Sequence, residues 1–304
     1  MTTLPPSMRL FERGWLSANN ILFIGDSGSA LIDSGYLTHA AQTVSLVDNA
    51  LDGRPLDLLL NTHLHSDHCG GNAALQARYP GCVTAIPVGD AALVAAWDED
   101  ALSYRATGQQ CARFTFERTI ASGDTLVLGD LSWQALAAPG HDNGALVFYC
   151  AAEAILISAD ALWENGFGVI FPELDGDSGF TEAADTLAML ARLDVRMVIP
   201  GHGAPFTDVA AALARANSRL AYLRADPRRN ADNAVKVMLK FLLLERRRIA
   251  FDDVVALFEH NPLMAGARRR FLGSDAGAAA EQACAALVRA GAARRDGSFL
   301  LDCG

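Results

Sequence analysis

Along the first two thirds of the chain, short apolar runs alternate with stretches whose apolar residues recur every three or four positions. The first pattern predicts strands and the second predicts helices. Residues 21–25 and 30–33 are apolar runs broken by Gly-Asp-Ser-Gly, which predicts a hairpin. Thr38 stands where it could cap a helix carrying Val44, Val47 and Leu51. The run 56–60 is too short for a helix and suits a buried strand ending at Asn61-Thr62. A short helix around Leu75, a strand at 83–86 and a helix at 91–97 follow. From 114 to 157 strand signals dominate, punctuated by Gly123-Asp124 and Gly129-Asp130. A helix at 181–193 capped by Thr181, a strand at 198–200 and a helix at 207–223 complete this part.

The remainder reads differently. Helices are expected at 233–248, 252–259 and 278–290, and Asp296-Gly297 predicts a closing hairpin. Three helices and a hairpin resemble a winged helix in element order. Charge changes at the same place. Residues 1–210 hold 9 Lys and Arg against 25 Asp and Glu, and residues 211–304 hold 16 against 10. We therefore expect a catalytic domain at 1–222 and a small, mostly helical module at 223–304. The module's positive charge suits an anionic substrate portion, nucleic acid or a solvated helical surface. Its alanine-rich stretch 276–292 offers a face for self-pairing as a homodimer.

No apolar run approaches the ~18 residues of a membrane span. The first twenty residues mix Pro5, Pro6, Arg9, Glu12 and Arg13 among their apolar positions, unlike a signal peptide. Six cysteines are scattered without a C-x-x-C pair. A cytoplasmic protein with reduced thiols is expected.

Five of the seven histidines fall at three predicted strand ends. Thr62-His63-Leu64-His65-Ser66-Asp67-His68 places four metal-binding side chains within six residues. Gly140-His141-Asp142, Ala159-Asp160 and Gly201-His202-Gly203 supply one each. Imidazole and carboxylate donors suit zinc, manganese and iron. One ion would take His63, His65 and His141, and the other Asp67, His68 and His202. Asp160 can bridge the two through its two oxygens. Two ions ~3.5–4 Å apart hold a water and lower its pKa toward neutrality, which provides a hydroxide nucleophile. Asp67 is assigned the catalytic role. Gly70 and Gly71 let the backbone pass close beneath the ions, and Gly140 and Gly201 permit the turns that expose the next histidine. His39, His260 and Cys69 are ordinary packed or surface residues in this reading.

H-x-H-x-D-H followed by single His, Asp and His at these strand ends resembles the metallo-β-lactamase superfamily. The resemblance covers about residues 10–222. The stretch from Gly123-Asp124 to Pro139-Gly140-His141 resembles its hydroxyacylglutathione hydrolase (glyoxalase II) branch. It implies an α/β fold, an αββα sandwich of two packed sheets with helices outside and two divalent ions at one edge. Zinc is the first expectation, with iron and manganese as alternatives. By similarity Asp33 lies just behind the ions. Trp163 and Phe167, with Tyr104 and Arg105, are candidates for supporting the ligands or touching substrate.

The leading expectation is hydrolysis of a thioester or ester of a small molecule. Arg246, Arg247, Arg248, Arg268, Arg269 and Arg270 would hold its anionic portion. Phosphodiester cleavage on RNA or a nucleotide is the alternative; an acidic chain with few tail aromatics disfavours nucleic acid. A mononuclear iron persulfide dioxygenase and a non-catalytic metal-binding protein are further readings. The complete set of seven donors weighs against both.

Overall fold

The computed structural model describes residues 3–303. Alternation along its strands sends successive side chains to opposite faces, and this divides the apolar residues into layers. Six strands form one sheet: β1 (Met8–Phe11), β2 (Asn20–Gly25), β3 (Gly28–Ile32), β4 (Leu58–Leu60), β5 (Val83–Pro87) and β6 (Arg118–Ile120), side by side in that order. Five form a second: β7 (Thr125–Leu128), β8 (Leu131–Ala137), β9 (Leu146–Cys150), β10 (Ile155–Ala159) and β11 (Met197–Pro200), ordered β11-β10-β9-β8-β7. Ile21, Phe23 and Ile32 of the first sheet pack against Trp133, Phe148 and Ile157 of the second. Leu22, Leu31 and Leu59 point the other way, onto Val47, Leu51 and Leu75 of outer helices. Val147, Leu156 and Val198 likewise face Phe180, Leu187 and Leu220. The result is the expected αββα sandwich.

The hairpin at 21–33 is β2 and β3, paired with Gly25 opposite Gly28. Strands β3 to β6 run parallel, as do β10 and β11. Parallel pairs need crossovers, so their C-terminal ends gather on one rim.

Helix starts differ from expectation where a side chain elsewhere supplies the cap. Thr38 sits inside a 3-10 turn, Leu37–His39, and caps nothing. Helix Phe180–Leu190 begins where Glu173 accepts from the Gly179 and Phe180 backbone N–H groups, not at Thr181. Helix Val209–Arg224 starts at Asp208, which accepts from the Ala211 N–H.

The tail opens with helix Pro227–Arg246, six residues earlier than expected, because Asp226 caps it and Pro227 fits its first turn. Arg247 ends it in the left-handed region, at φ 65°. Strand β12 (Arg248–Ala250) follows, then helices Phe251–His260, Pro262–Ala267 and Ala276–Arg289. Strands β13 (Ala293–Asp296) and β14 (Phe299–Asp302) close a sheet ordered β12-β14-β13. The expected division at 222/223 falls in the last turn of helix Val209–Arg224. Val169 and Leu174 of the sandwich join the tail's apolar cluster, so the two parts share packing. The alanines expected to offer a pairing face, Ala276, Ala279, Ala280 and Ala283, are buried within that cluster. Among the described residues no helix is long and apolar enough to cross a membrane.

Candidate metal centre

Each candidate ligand follows a strand end on that rim: His63, His65, Asp67 and His68 after β4, His141 after β8, Asp160 after β10 and His202 after β11. The 61–71 loop is shaped by Asp33, just past β3. Its carboxylate accepts from the Thr62 N–H at 2.9 Å and the Thr62 hydroxyl at 2.8 Å. It also lies 2.8 Å from His68 Nδ1. Gly71 passes so close to Ser34 O that a Cβ would collide with it.

Two groups of donors converge. His63 Nε2 lies 3.1 Å from His65 Nδ1, which lies 2.8 Å from His141 Nε2. Donors around one tetrahedral zinc, with bonds of ~2.0–2.1 Å, stand roughly 3.3 Å apart. In the other group Asp67 Oδ2 is 3.1 Å from His202 Nε2, with His68 beside them. Asp160 stands between. Its Oδ2 is 3.4 Å from His141 Nε2, and its Oδ1 is 3.4 Å from His68 Nε2. His68 Nε2 is buried without a hydrogen-bond partner among the described residues. A buried polar atom of that kind is costly unless something satisfies it. The donor set and this orphaned atom both fit cation binding, and the groups can hold metal ions.

The electrostatics differ between the groups. Burial holds His65 and His141 down at about 4, and pushes His63 well below the ordinary histidine value. These three are neutral donors. For His68 burial opposes the charge, but Asp160 and Asp33 outweigh it and hold the imidazole protonated well above its ordinary range. Burial likewise favours protonation of Asp67 and Asp160, yet the His202 hydrogen bond keeps the first ionised and the His68 charge the second.

Contacts behind the donors fix their orientation. Val169 O lies 2.6 Å from His141 Nδ1, so Nε2 faces the centre. Trp163 Nε1 donates to Asp160 Oδ1 at 3.2 Å. A Cβ at Gly201 would collide with Asp160 Oδ1, and one at Gly168 with His141 Nδ1. The need for glycine at 201 is therefore close approach, not a tight turn.

A cavity of about 410 Å³ opens onto the centre, with His65, Asp67, His141, Asp160 and His202 in its floor. Trp163 lines it. Tyr104 does not; it is buried, and its hydroxyl donates to Leu64 O, bracing the histidine loop from behind. Phe167 is buried in the outer core beneath helix Val209–Arg224. Arg105 is exposed and paired with Glu99 and Asp100. The six tail arginines are absent from the cavity wall, so their expected role on an anionic substrate portion is not met. Trp15 was not anticipated. Its ring stacks on His202 at 5.5 Å, and nothing in its neighbourhood in the sequence marks it beyond an aromatic before the first buried strand. Met238, Phe241 and Leu263 of the tail also line the cavity, although Met238 reads from periodicity alone as a core position.

Residues 13–202 match the metallo-beta-lactamase superfamily. The chain belongs to this superfamily. It is 30% identical over 145 residues to the hydroxyacylglutathione hydrolase of Rhodospirillum rubrum, covering 47% of each chain. It thus spans about half the length of the curated relatives it matches. Among solved structures, it superposes on a metallo-beta-lactamase family protein, TTHA1429 from Thermus thermophilus, with a TM-score of 0.59 at 21% identity, over 99% of this chain and 100% of the other. TTHA1623, solved in a di-iron-bound form, gives a TM-score of 0.56 at 26% identity, over 68% and 98%.

Proposed function

We propose that the protein is a dinuclear metal-dependent hydrolase that cleaves an ester or thioester of a small molecule. The observation that carries this reading is the Asp160 carboxylate, one oxygen toward His141 and the other toward His68, each at 3.4 Å. A single carboxylate shared by two donor groups is the arrangement two neighbouring ions require. His63, His65 and His141 would hold one ion, and Asp67, His68 and His202 the other. When bound, the ions supply an ionised water at neutral pH and a Lewis acid for the scissile carbonyl.

The chain's own residues do the rest. Asp33 and Val169 O fix which nitrogen His68 and His141 present. Such contacts are worth about 10–100-fold in metal affinity. Asp67, ionised and lining the cavity, takes the catalytic role beside the reacting group in this reading. Trp15, Trp163 and Phe171 line the cavity beside the floor. The relatives named hydroxyacylglutathione hydrolase support an acyl ester or thioester as the bond cleaved. We propose zinc as the metal, with iron second because of the di-iron relative. Six free thiols, including Cys69 and Cys111 with sulfurs 3.8 Å apart, fit a reducing compartment such as the cytoplasm.

Elemental analysis together with turnover of a thioester, ester and phosphodiester panel tests the reading. Two ions per chain and acyl hydrolysis are expected. One ion per chain, or phosphodiester turnover alone, would overturn it.

A further inference from the structure

We infer that the substrate presents an apolar, uncharged group to the outer cavity, in place of the anionic portion that the basic tail suggests; this rests on the hydrolase reading. Above the donors the wall is Val237, Met238 and Phe241 from helix Pro227–Arg246, Leu263 from helix Pro262–Ala267, and Phe171 and Trp163 from the sandwich. The tail thus contributes its apolar side chains to the site. Ser103, Thr107 and Gln109 add polar but neutral groups. The charges outside the floor are two carboxylates, Asp100 and Asp175. No lysine or arginine lines the cavity among the described residues.

The arginines nearby or in the tail have other contacts. Arg105 reaches Glu99 at 2.9 Å and Asp100 at 3.3 Å. Arg247 reaches Asp302 at 2.7 Å, and Arg248 lies 3.8 Å over the Phe299 ring. Arg268 donates to Phe258 O and Ser274 O, and Arg270 to Leu174 O. An anionic group entering the outer cavity would shed water and meet acids without a cation in return. An alkyl or ring group would gain from the same walls. The cation pair favours the reacting oxygen of any substrate, so it does not discriminate between outer portions.

Two non-hydrolysable thioethers separate the cases. S-hexyl-N-acetylcysteamine and S-hexylglutathione share sulfur and alkyl chain, and the second adds two carboxylates and an ammonium. Each is titrated into the metal-loaded protein by calorimetry. The neutral ligand should bind at least tenfold more tightly. Lengthening its chain should tighten binding roughly fourfold per methylene. Val237→Arg, at a half-exposed wall position, should narrow or reverse the preference. Equal or tighter binding of S-hexylglutathione by the unsubstituted protein overturns the inference, as does failure of the neutral ligand to bind. Turnover is scored separately. If neither neutral nor glutathione thioesters are cleaved at full metal loading, the hydrolase reading falls, while the binding order still decides the nature of the cavity.

Discussion

Loading the metal-free protein with two zinc ions should release about two protons near pH 7, one from the water that the ions ionise and one from His68. Burial leaves His65 and His141 at about 4 and His63 below the ordinary value, so these three lone pairs are already free. The Asp67 and Asp160 carboxylates are ionised and release nothing. His68 is the exception. Although burial disfavours its charge, Asp160 and Asp33 hold it protonated well above the ordinary range. Its Nδ1 stays with Asp33 at 2.8 Å, so the Nε2 proton must leave for an ion to bind. One proton exchanged per ion makes the affinity of that site fall about tenfold, or roughly 1.4 kcal/mol, for each unit of falling pH below the His68 pKa. Calorimetry in buffers of different ionisation enthalpy counts the protons directly. The two binding events together should give a slope near two at pH 7. Asp33→Asn should lower the His68 pKa, reduce the release and weaken one site by about 10–100-fold. A summed slope of one or less, or of four or more, would refute the electrostatic reasoning.

Other consequences are simpler. Gly201→Ala should displace the Asp160 carboxylate and cost metal stoichiometry in elemental analysis, while circular dichroism stays native. Trp133→Ala, at a fully buried position between the sheets, should cost about 3–5 kcal/mol in denaturant unfolding. Burial, then Asp142, pushes Asp90 up to about 7. The folded chain therefore keeps a proton that the unfolded chain loses, and stability falls as pH rises from about 4 to about 7. Asp90→Asn should raise the melting temperature at pH 8, by an amount equivalent to about 1–2 kcal/mol, and have little effect below pH 4. Equal shifts at both pH values would show that the buried charge is not the cause.

The sandwich and its donor cluster were legible in the chain because both are written in local pattern. Ile21, Leu22 and Phe23 alternate between two apolar layers, and a strand cannot hide that alternation. His63, His65, Asp67 and His68 sit within six residues, so their proximity needed no knowledge of the fold. Tertiary packing decided the rest. Strand β12 has three residues and exists through the pairing of Ile249 with Leu300, a partner 51 positions away that no local signal announces. Glu173 starts a helix from outside it. Gly168 and Gly201 are required by side chains that approach from other segments. Charge along the tail suggested an anion-binding surface, since composition records which residues are present and not which way they face. Folding turned Arg270 to a carbonyl, Arg247 to a carboxylate and Arg248 to an aromatic ring, and gave Met238, Phe241 and Leu263 to the cavity. Direction in space is a property of the whole packed chain, and one dimension of sequence does not carry it.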